Sequence, residues 1–296
     1  MIIVQSPLRI SFLGGGTDFP QFYEKNGGAV LSTAINKYIY VIVIPRFDSK
    51  VRLTYTKAEL KNNSETLKHD IVRECMKHIG ISHGIEVVTI GDVPSGTGLG
   101  SSSAVTVGVL KALYAFIGQE TGAKQLAEEA CYIERQVLCK PIGVQDQYIS
   151  AYGGFRLFEF TKEGITNRKL SAGNLLDHIL IFYTGMTRDS AEILGTQTNN
   201  IPKNTYLLQE MRDLVYKTNW TEDGNLGQLL NENWKLKKQL ASITTPEIDN
   251  WYSIGIAAGA TGGKLLGAGG GGFLLFYCSP DKKENIRLVK CFYSFF

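Results

Sequence analysis

Pro94-Ser-Gly-Thr-Gly-Leu-Gly-Ser-Ser-Ser-Ala104 decides the reading of this chain. Gly96, Gly98 and Gly100 alternate, then Ser101, Ser102 and Ser103 open a long apolar run. Just upstream, Ile85-Glu-Val-Val-Thr-Ile90 reads as a strand, so the layout is strand, glycine loop, helix. Glycine lets the backbone turn tightly and come close to a ligand. The first N–H groups of the following helix have no intrahelical partner and carry partial positive charge. Together they form a pocket suited to phosphate. The serine hydroxyls can add donors there, or hold a magnesium ion beside the phosphates. A tight turn alone would use the same glycines, and short glycine motifs give false matches. The flanking strand and helix and the serine triplet favour phosphate.

The common phosphate signatures do not fit. A P-loop needs Gly-Lys-Ser/Thr, but Lys264 stands between Gly263 and Leu265. The dinucleotide spacing occurs at Gly267, Gly269 and Gly272, yet Phe273-Leu-Leu-Phe-Tyr277 reads as a strand where a helix should follow. The serines lack the G-x-S-x-G elbow of hydrolases.

The 296 residues are 44% hydrophobic and 20% charged, an ordinary globular profile long enough for two domains. A net charge of +3 gives no basic stripe, and the lysines from 57 to 77 are mixed with acids, so no nucleic-acid partner is expected. No apolar run is long enough to span a membrane, and the N-terminus does not read as a signal peptide. Cys75, Cys131, Cys139, Cys278 and Cys291 are scattered, odd in number and form no C-x-x-C pair, so reduced thiols in a cytoplasmic protein are expected. His69, His78, His83 and His178 lack metal-ligand spacing.

Strands are predicted over 2–12, 29–35, 38–45, 51–55, 85–90, 155–160 and 178–183, with one more from Phe273. Pro7 marks the first as bulged or at an edge. Helices are predicted over 19–26, 67–79, 102–117, 124–138, 204–217, 226–240 and 247–258, with a short turn over 144–151 and a start at 187–194. The helix over 102–117 is apolar all round and should be buried. Strands and helices mix throughout, which gives the α/β (α+β) class, and the rhythm restarts near residue 173.

Three segments in order resemble the motifs of the GHMP kinases, the superfamily of galactokinase, homoserine kinase, mevalonate kinase and phosphomevalonate kinase. Pro7-Leu-Arg-Ile-Ser-Phe-Leu-Gly-Gly-Gly-Thr-Asp18 is similar to the first, Pro94–Ala104 to the second, and Lys264-Leu-Leu-Gly-Ala-Gly-Gly-Gly-Gly-Phe273 to the third. The segment Leu13–Pro20 most resembles the bacterial D-glycero-D-manno-heptose 7-phosphate kinases. The resemblance implies an N-terminal α/β domain with a left-handed βαβ unit (residues 1–172) and a ferredoxin-like C-terminal domain (residues 173–296), with ATP and sugar in the cleft between them. It implies ATP-dependent phosphorylation of the anomeric hydroxyl of the heptose 7-phosphate to the 1,7-bisphosphate, for surface polysaccharide. The rival readings are another sugar kinase of the superfamily and a non-catalytic sugar/ATP sensor. Partners would be a small-molecule sugar phosphate and, within a homodimer, a second copy. Family members usually run on beyond the helix after the third motif. The ending Val289-Lys-Cys-Phe-Tyr-Ser-Phe-Phe296 is therefore expected to mark a shortened C-terminal domain, its aromatics packing as a strand or belonging to an altered end.

The resemblance also assigns residues. Asp146, in Gly143-Val-Gln-Asp-Gln147, matches the catalytic aspartate, though by its neighbours alone it is equally an aspartate near a helix start. Glu134 matches the metal-ligating glutamate and Ser102 its serine partner, with a neighbouring serine as the alternative; both would hold Mg2+. By itself Glu134 reads as a helix charge beside Arg135. Arg9 would neutralise charge on the transferring phosphoryl group or acidify the acceptor hydroxyl through Asp146; alone, it is a strand-end charge paired with a carboxylate. ATP would lie along Pro94, Ser95, Gly96, Thr97, Gly98, Leu99, Gly100, Ser101, Ser102 and Ser103. Gly16, Thr17 and Asp18 form the substrate side of the first loop, with Asp18 accepting from sugar hydroxyls or simply capping the turn. Gly269, Gly270 and Gly271 let the third loop approach the substrate, or form a flexible hairpin. Arg188 suits a sugar phosphate, or pairs with Asp189.

Overall fold

In the computed structural model, residues 1–187, 190–218, 225–287 and 293–294 are described. The first strand, β1 (Ile2–Leu13), pairs with β2 (Gly28–Pro45), and α1 (Pro20–Asn26) lies between them and ends at Gly27. β2 is one strand of 18 residues where the sequence suggested two. Asn36-Lys37 reads as a break, but each half of β2 has a ladder of its own, which keeps the backbone extended through the join.

Close contacts group the chain into two compact units that interleave along it. The first holds Met1–Arg9, Ala34–Ser95 and Gly100–Gly153; the second holds Ile10–Thr33, Gly96–Leu99 and Gly154–Phe296.

In the first unit the second half of β2 pairs with β5 (Ile85–Gly91), β5 with β3 (Val51–Thr54), and β3 with β4 (Ala58–Lys61). The β3–β5 pair is parallel and the others antiparallel. The helices are α2 (Asp70–Ile79), α3 (Ser101–Phe116), α4 (Ala123–Cys131) and α5 (Gln145–Tyr152). As its composition predicts, α3 is buried along most of its length. Gly108 lets it sit close to β1 and β2, since a Cβ there would come within 3.0 Å of Val41 and 3.1 Å of Ser6.

The helix predicted over 124–138 is not uniform. After α4 it widens into a π-helical turn over Tyr132–Val137, with Leu138 N–H bonded to the Ile133 carbonyl five residues back. Pro141 prevents regular continuation.

In the second unit the first half of β2 pairs with β6 (Phe155–Thr161), and β6 with β7 (Gly164–Leu170). The rest builds a separate sheet from β8 (Ile179–Tyr183), β9 (Gly262–Leu265), β10 (Phe273–Tyr277) and β11 (Tyr293–Ser294). Its order is β11-β8-β10-β9, antiparallel at each pairing. Helices α6 (Ser190–Asn200), α7 (Thr205–Tyr216), α8 (Leu226–Leu240) and α9 (Pro246–Ala257) connect β8 to β9, and α10 (Lys283–Arg287) follows β10. A β-α-β-β-α-β succession with this order is the ferredoxin-like arrangement. Its core packs Phe182, Leu274 and Phe276 of the sheet against Trp234, Ile248 and Tyr252 of the helices.

Candidate active site

Gly100 takes a left-handed conformation at φ 75 and caps α3, which begins at Ser101. Pro94, Ser95 and Gly96 are exposed, whereas the side chains of Thr97 and Leu99 turn inward and build the underside of the loop. A Cβ at Gly100 would stand 3.2 Å from both Arg9 Cγ and Asp146 Oδ2. Only glycine lets the loop end lie this close to that pair.

Arg9 projects from β1 and Asp146 from the first turn of α5, 137 positions apart in sequence. They meet in a bidentate contact: Arg9 Nε donates to Asp146 Oδ1 at 2.7 Å and Nη2 to Oδ2 at 2.7 Å. The Arg9 side chain is 6% exposed and that of Asp146 24%. The guanidinium fork fixes the carboxylate plane while an edge of the carboxylate still reaches solvent.

A second cluster of the same unit surrounds Glu134, whose side chain is fully buried. Ser102 Oγ donates to its Oε1 at 2.8 Å, Gln147 Nε2 donates to its Oε2 at 2.7 Å, and Lys140 Nζ lies 3.9 Å from Oε1. The π-helical turn carries Glu134, and such turns are frequent at functional sites. Sequence reasoning assigned no role to Gln147 or Lys140. The one available signal was that Gln147 follows Asp146, so one turn of α5 serves both carboxylates.

Burial pushes the Glu134 carboxyl above its ordinary value, opposed by Lys140, Ser102 and Gln147. A raised folded-state pKa means that ionisation costs stability above the unfolded value and nothing below it. Glu134→Gln should therefore raise the melting temperature of the nucleotide-free protein at about pH 8, with the gain gone by about pH 4. The new amide can pair with Gln147 Oε1, which has no partner of its own. Thermal melts across this range check the expectation; a variant that melts lower than the parent at the alkaline end contradicts it.

The second unit carries the other candidates. Thr17 is fully buried; its hydroxyl lies 2.8 Å from the Gly14 carbonyl and 2.9 Å from that of Ala29, so it braces the turn. Asp18 is 2% exposed, and its Oδ1 accepts from Gly16 N–H at 3.0 Å. In the third loop Gly270 N–H donates to the Ile243 carbonyl at 2.7 Å, and Gly272 N–H to that of Met186 at 2.8 Å. Gly269 and Gly271 pass close to the same two residues, so this loop is braced and not a free hairpin. It also touches the second motif: a Cβ on Gly267 would lie 2.4 Å from Gly98 Cα. Arg188 lies outside the described residues.

Among the described residues no helix is long and apolar enough to cross a membrane, and no group of three or more His, Cys, Asp or Glu gathers as for a metal. One buried carboxylate beside a hydroxyl is instead a set that would share its cation with phosphate oxygens.

Comparison with known proteins follows the same lines. The GHMP kinase N-terminal domain matches residues 66–154, and the GHMP kinase C-terminal domain matches residues 215–289. The D-glycero-alpha-D-manno-heptose 7-phosphate kinase of Campylobacter jejuni is 31% identical, over 96% of this chain and 91% of that protein. The crystal structure of a putative sugar kinase from Campylobacter jejuni superimposes with a TM-score of 0.72 at 30% identity, over 96% of this chain and 90% of that one. A D-glycero-D-manno-heptose 1-phosphate kinase from Bacteroides thetaiotaomicron shares the fold at a TM-score of 0.72 and 22% identity, over 97% of this chain and 91% of that one. With both domains matched in order and a relative matched along nearly its whole length, the chain belongs to the GHMP kinase family.

Proposed function

We propose that this kinase transfers the γ-phosphoryl group of ATP to the anomeric hydroxyl of D-glycero-D-manno-heptose 7-phosphate, giving the 1,7-bisphosphate and ADP. The observation that carries the reading is the Arg9–Asp146 pair, bidentate at 2.7 Å and pressed against Gly100. Phosphoryl transfer asks a protein mainly for positioning and electrostatics. Asp146 would accept the acceptor proton as its oxygen attacks phosphorus and the bond to the ADP oxygen breaks. Arg9 would hold the Asp146 carboxylate in plane and lessen negative charge beside it. The loop over 94–104 would cradle the phosphates, and Asp18 would accept from sugar hydroxyls. In sequence order, residues 1–172 would form the nucleotide-binding part and 173–296 the C-terminal part. Among the described residues the thiols of Cys75, Cys139 and Cys278 are free, which supports a cytoplasmic home.

The residues present fit magnesium. Ser102 Oγ and the Glu134 carboxylate, already 2.8 Å apart, would hold it, and its charge would offset the cost of ionising Glu134 in a buried place. When bound there, magnesium would supply positive charge against the charge developing on the transferred group.

The test is ADP release from Mg-ATP against heptose 7-phosphate, mannose 6-phosphate, galactose, N-acetylglucosamine and no sugar. Turnover confined to heptose 7-phosphate is expected. Turnover with a free sugar alone would move the activity to another branch of the family. No turnover with any sugar, in a chain that binds ATP, would favour a sensor.

A further inference from the structure

Asn233 and Lys237 lie four positions apart on α8, on one face of the helix, and both point inward at 0% and 6% exposure. Each uses its side chain on the backbone of a glycine loop. Asn233 Oδ1 accepts from Gly14 N–H at 3.3 Å, in the first motif. Lys237 Nζ donates to the Gly267 carbonyl, in the third. Gly267 in turn lies against Gly98 of the second motif, closer than any side chain would allow. Lys264 of β9 adds a third tie, donating to the Phe12 carbonyl at 3.0 Å just before the first loop.

Burying an ammonium is costly, and an apolar side chain of similar length would fill the space without that cost. The amide of Asn233 shows the same economy of purpose: its oxygen is bonded, while its Nδ2 has no partner. The group therefore acts as an acceptor for Gly14. Packing explains neither polar residue, and each has a glycine loop as a polar partner.

We propose that Asn233 and Lys237 are positioning residues with separable effects: Lys237 sets the nucleotide loop through Gly267 and Gly98, and Asn233 sets the acceptor loop through Gly14. The proposal rests on the nucleotide and sugar roles given above to these loops. It predicts a double dissociation that general loosening of the fold cannot produce. Lys237→Met should weaken nucleotide binding about tenfold and leave the acceptor KM within about twofold. Asn233→Leu should raise the acceptor KM about tenfold and leave nucleotide affinity within about twofold. Asn233→Asp keeps an oxygen for Gly14 N–H and gives up an unbonded donor; its buried carboxylate should lower the melting temperature, yet the acceptor KM should be restored.

The nucleotide arm is calorimetric titration with Mg-ADP and with a non-hydrolysable ATP analogue, which needs no acceptor. The acceptor arm is steady-state kinetics with heptose 7-phosphate, or with whichever sugar of the panel the parent turns over. Melting temperatures accompany both. A parent that binds no nucleotide defeats the functional reading itself. A parent that binds, with variants that shift both constants by the same factor or shift neither, overturns the positioning proposal alone. Should Lys237→Met not fold, Lys237→Gln decides: its donor is shorter and uncharged, so nucleotide affinity should fall about threefold with the acceptor KM unmoved, and unchanged affinity would overturn the proposal.

Discussion

Asp146→Asn is expected to lower kcat about a thousandfold while nucleotide affinity stays within about threefold. The geometry makes this a sharp test. Both carboxylate oxygens accept from Arg9, at 2.7 Å each, and each keeps a further lone pair for an acceptor hydroxyl. An amide of the same shape turns one of those acceptors into a donor facing an Arg9 N–H. It also removes the base to which the hydroxyl proton would go. General-base contributions run to about 10²–10⁴, and the middle of that range is about 4 kcal/mol of barrier. Lengthening the side chain should not repair it. A Cβ at Gly100 would already sit 3.2 Å from Asp146 Oδ2, so Asp146→Glu would drive its carboxylate toward the loop. Single-turnover measurements with saturating Mg-ATP separate the chemical step from binding. A kcat within tenfold of the parent would remove Asp146 from the reaction.

What could be read before the fold, and what could not, divides along physical lines. The glycine loop was legible because its residue types are demanded locally: an alternation of glycines between a strand and a helix leaves few uses. The buried α3 was legible for a similar reason, since a run apolar all round has no face for water. The π-helical turn was not. Leu126, Ala130, Ile133 and Val137 are spaced as on an ordinary helix face, and nothing in side-chain type announces a bond reaching five residues back. Three strands escaped for separate reasons. β4 has only four residues, β7 is polar because it is an edge, and β9 lies in a glycine-rich run where packing, not propensity, makes it extended. The single strand β2 was read as two because Asn36 and Lys37 favour a turn, a preference that two flanking ladders override. Glu134 came through the family motif alone, its own sequence context being that of a surface charge. Asn233 and Lys237 gave no sign at all: polar residues on an amphipathic helix read as its wet face until the tertiary fold turns that face inward.

Gly98→Ala is expected to weaken ATP binding about a hundredfold, equivalent to about 2.7 kcal/mol. Two costs meet at this position. Gly98 has φ +82, a conformation that costs an L-residue about 1–2 kcal/mol. An added Cβ would also lie 2.5 Å from the Leu266 carbonyl oxygen and 2.9 Å from its carbon. These are backbone atoms, which cannot swing aside as a side-chain tip can, so the second and third loops must separate. Gly80 supplies the control. It caps α2 at the same φ of 82, and a Cβ there would meet nothing within 4 Å. Gly80→Ala therefore carries the conformational cost without the collision. It should lower the melting temperature by about 2–4 °C and leave nucleotide affinity unchanged. Titration of both variants with Mg-ADP, beside their melts, isolates the collision from the strain. If Gly98→Ala binds within threefold of the parent, the close approach of the two loops does not govern the nucleotide site. If the two variants lose affinity alike, strain far from the loop is transmitted to it, and the direct contact explains nothing. A hundredfold loss at Gly98 alone would tie the nucleotide site to a contact that only two facing glycine loops can make.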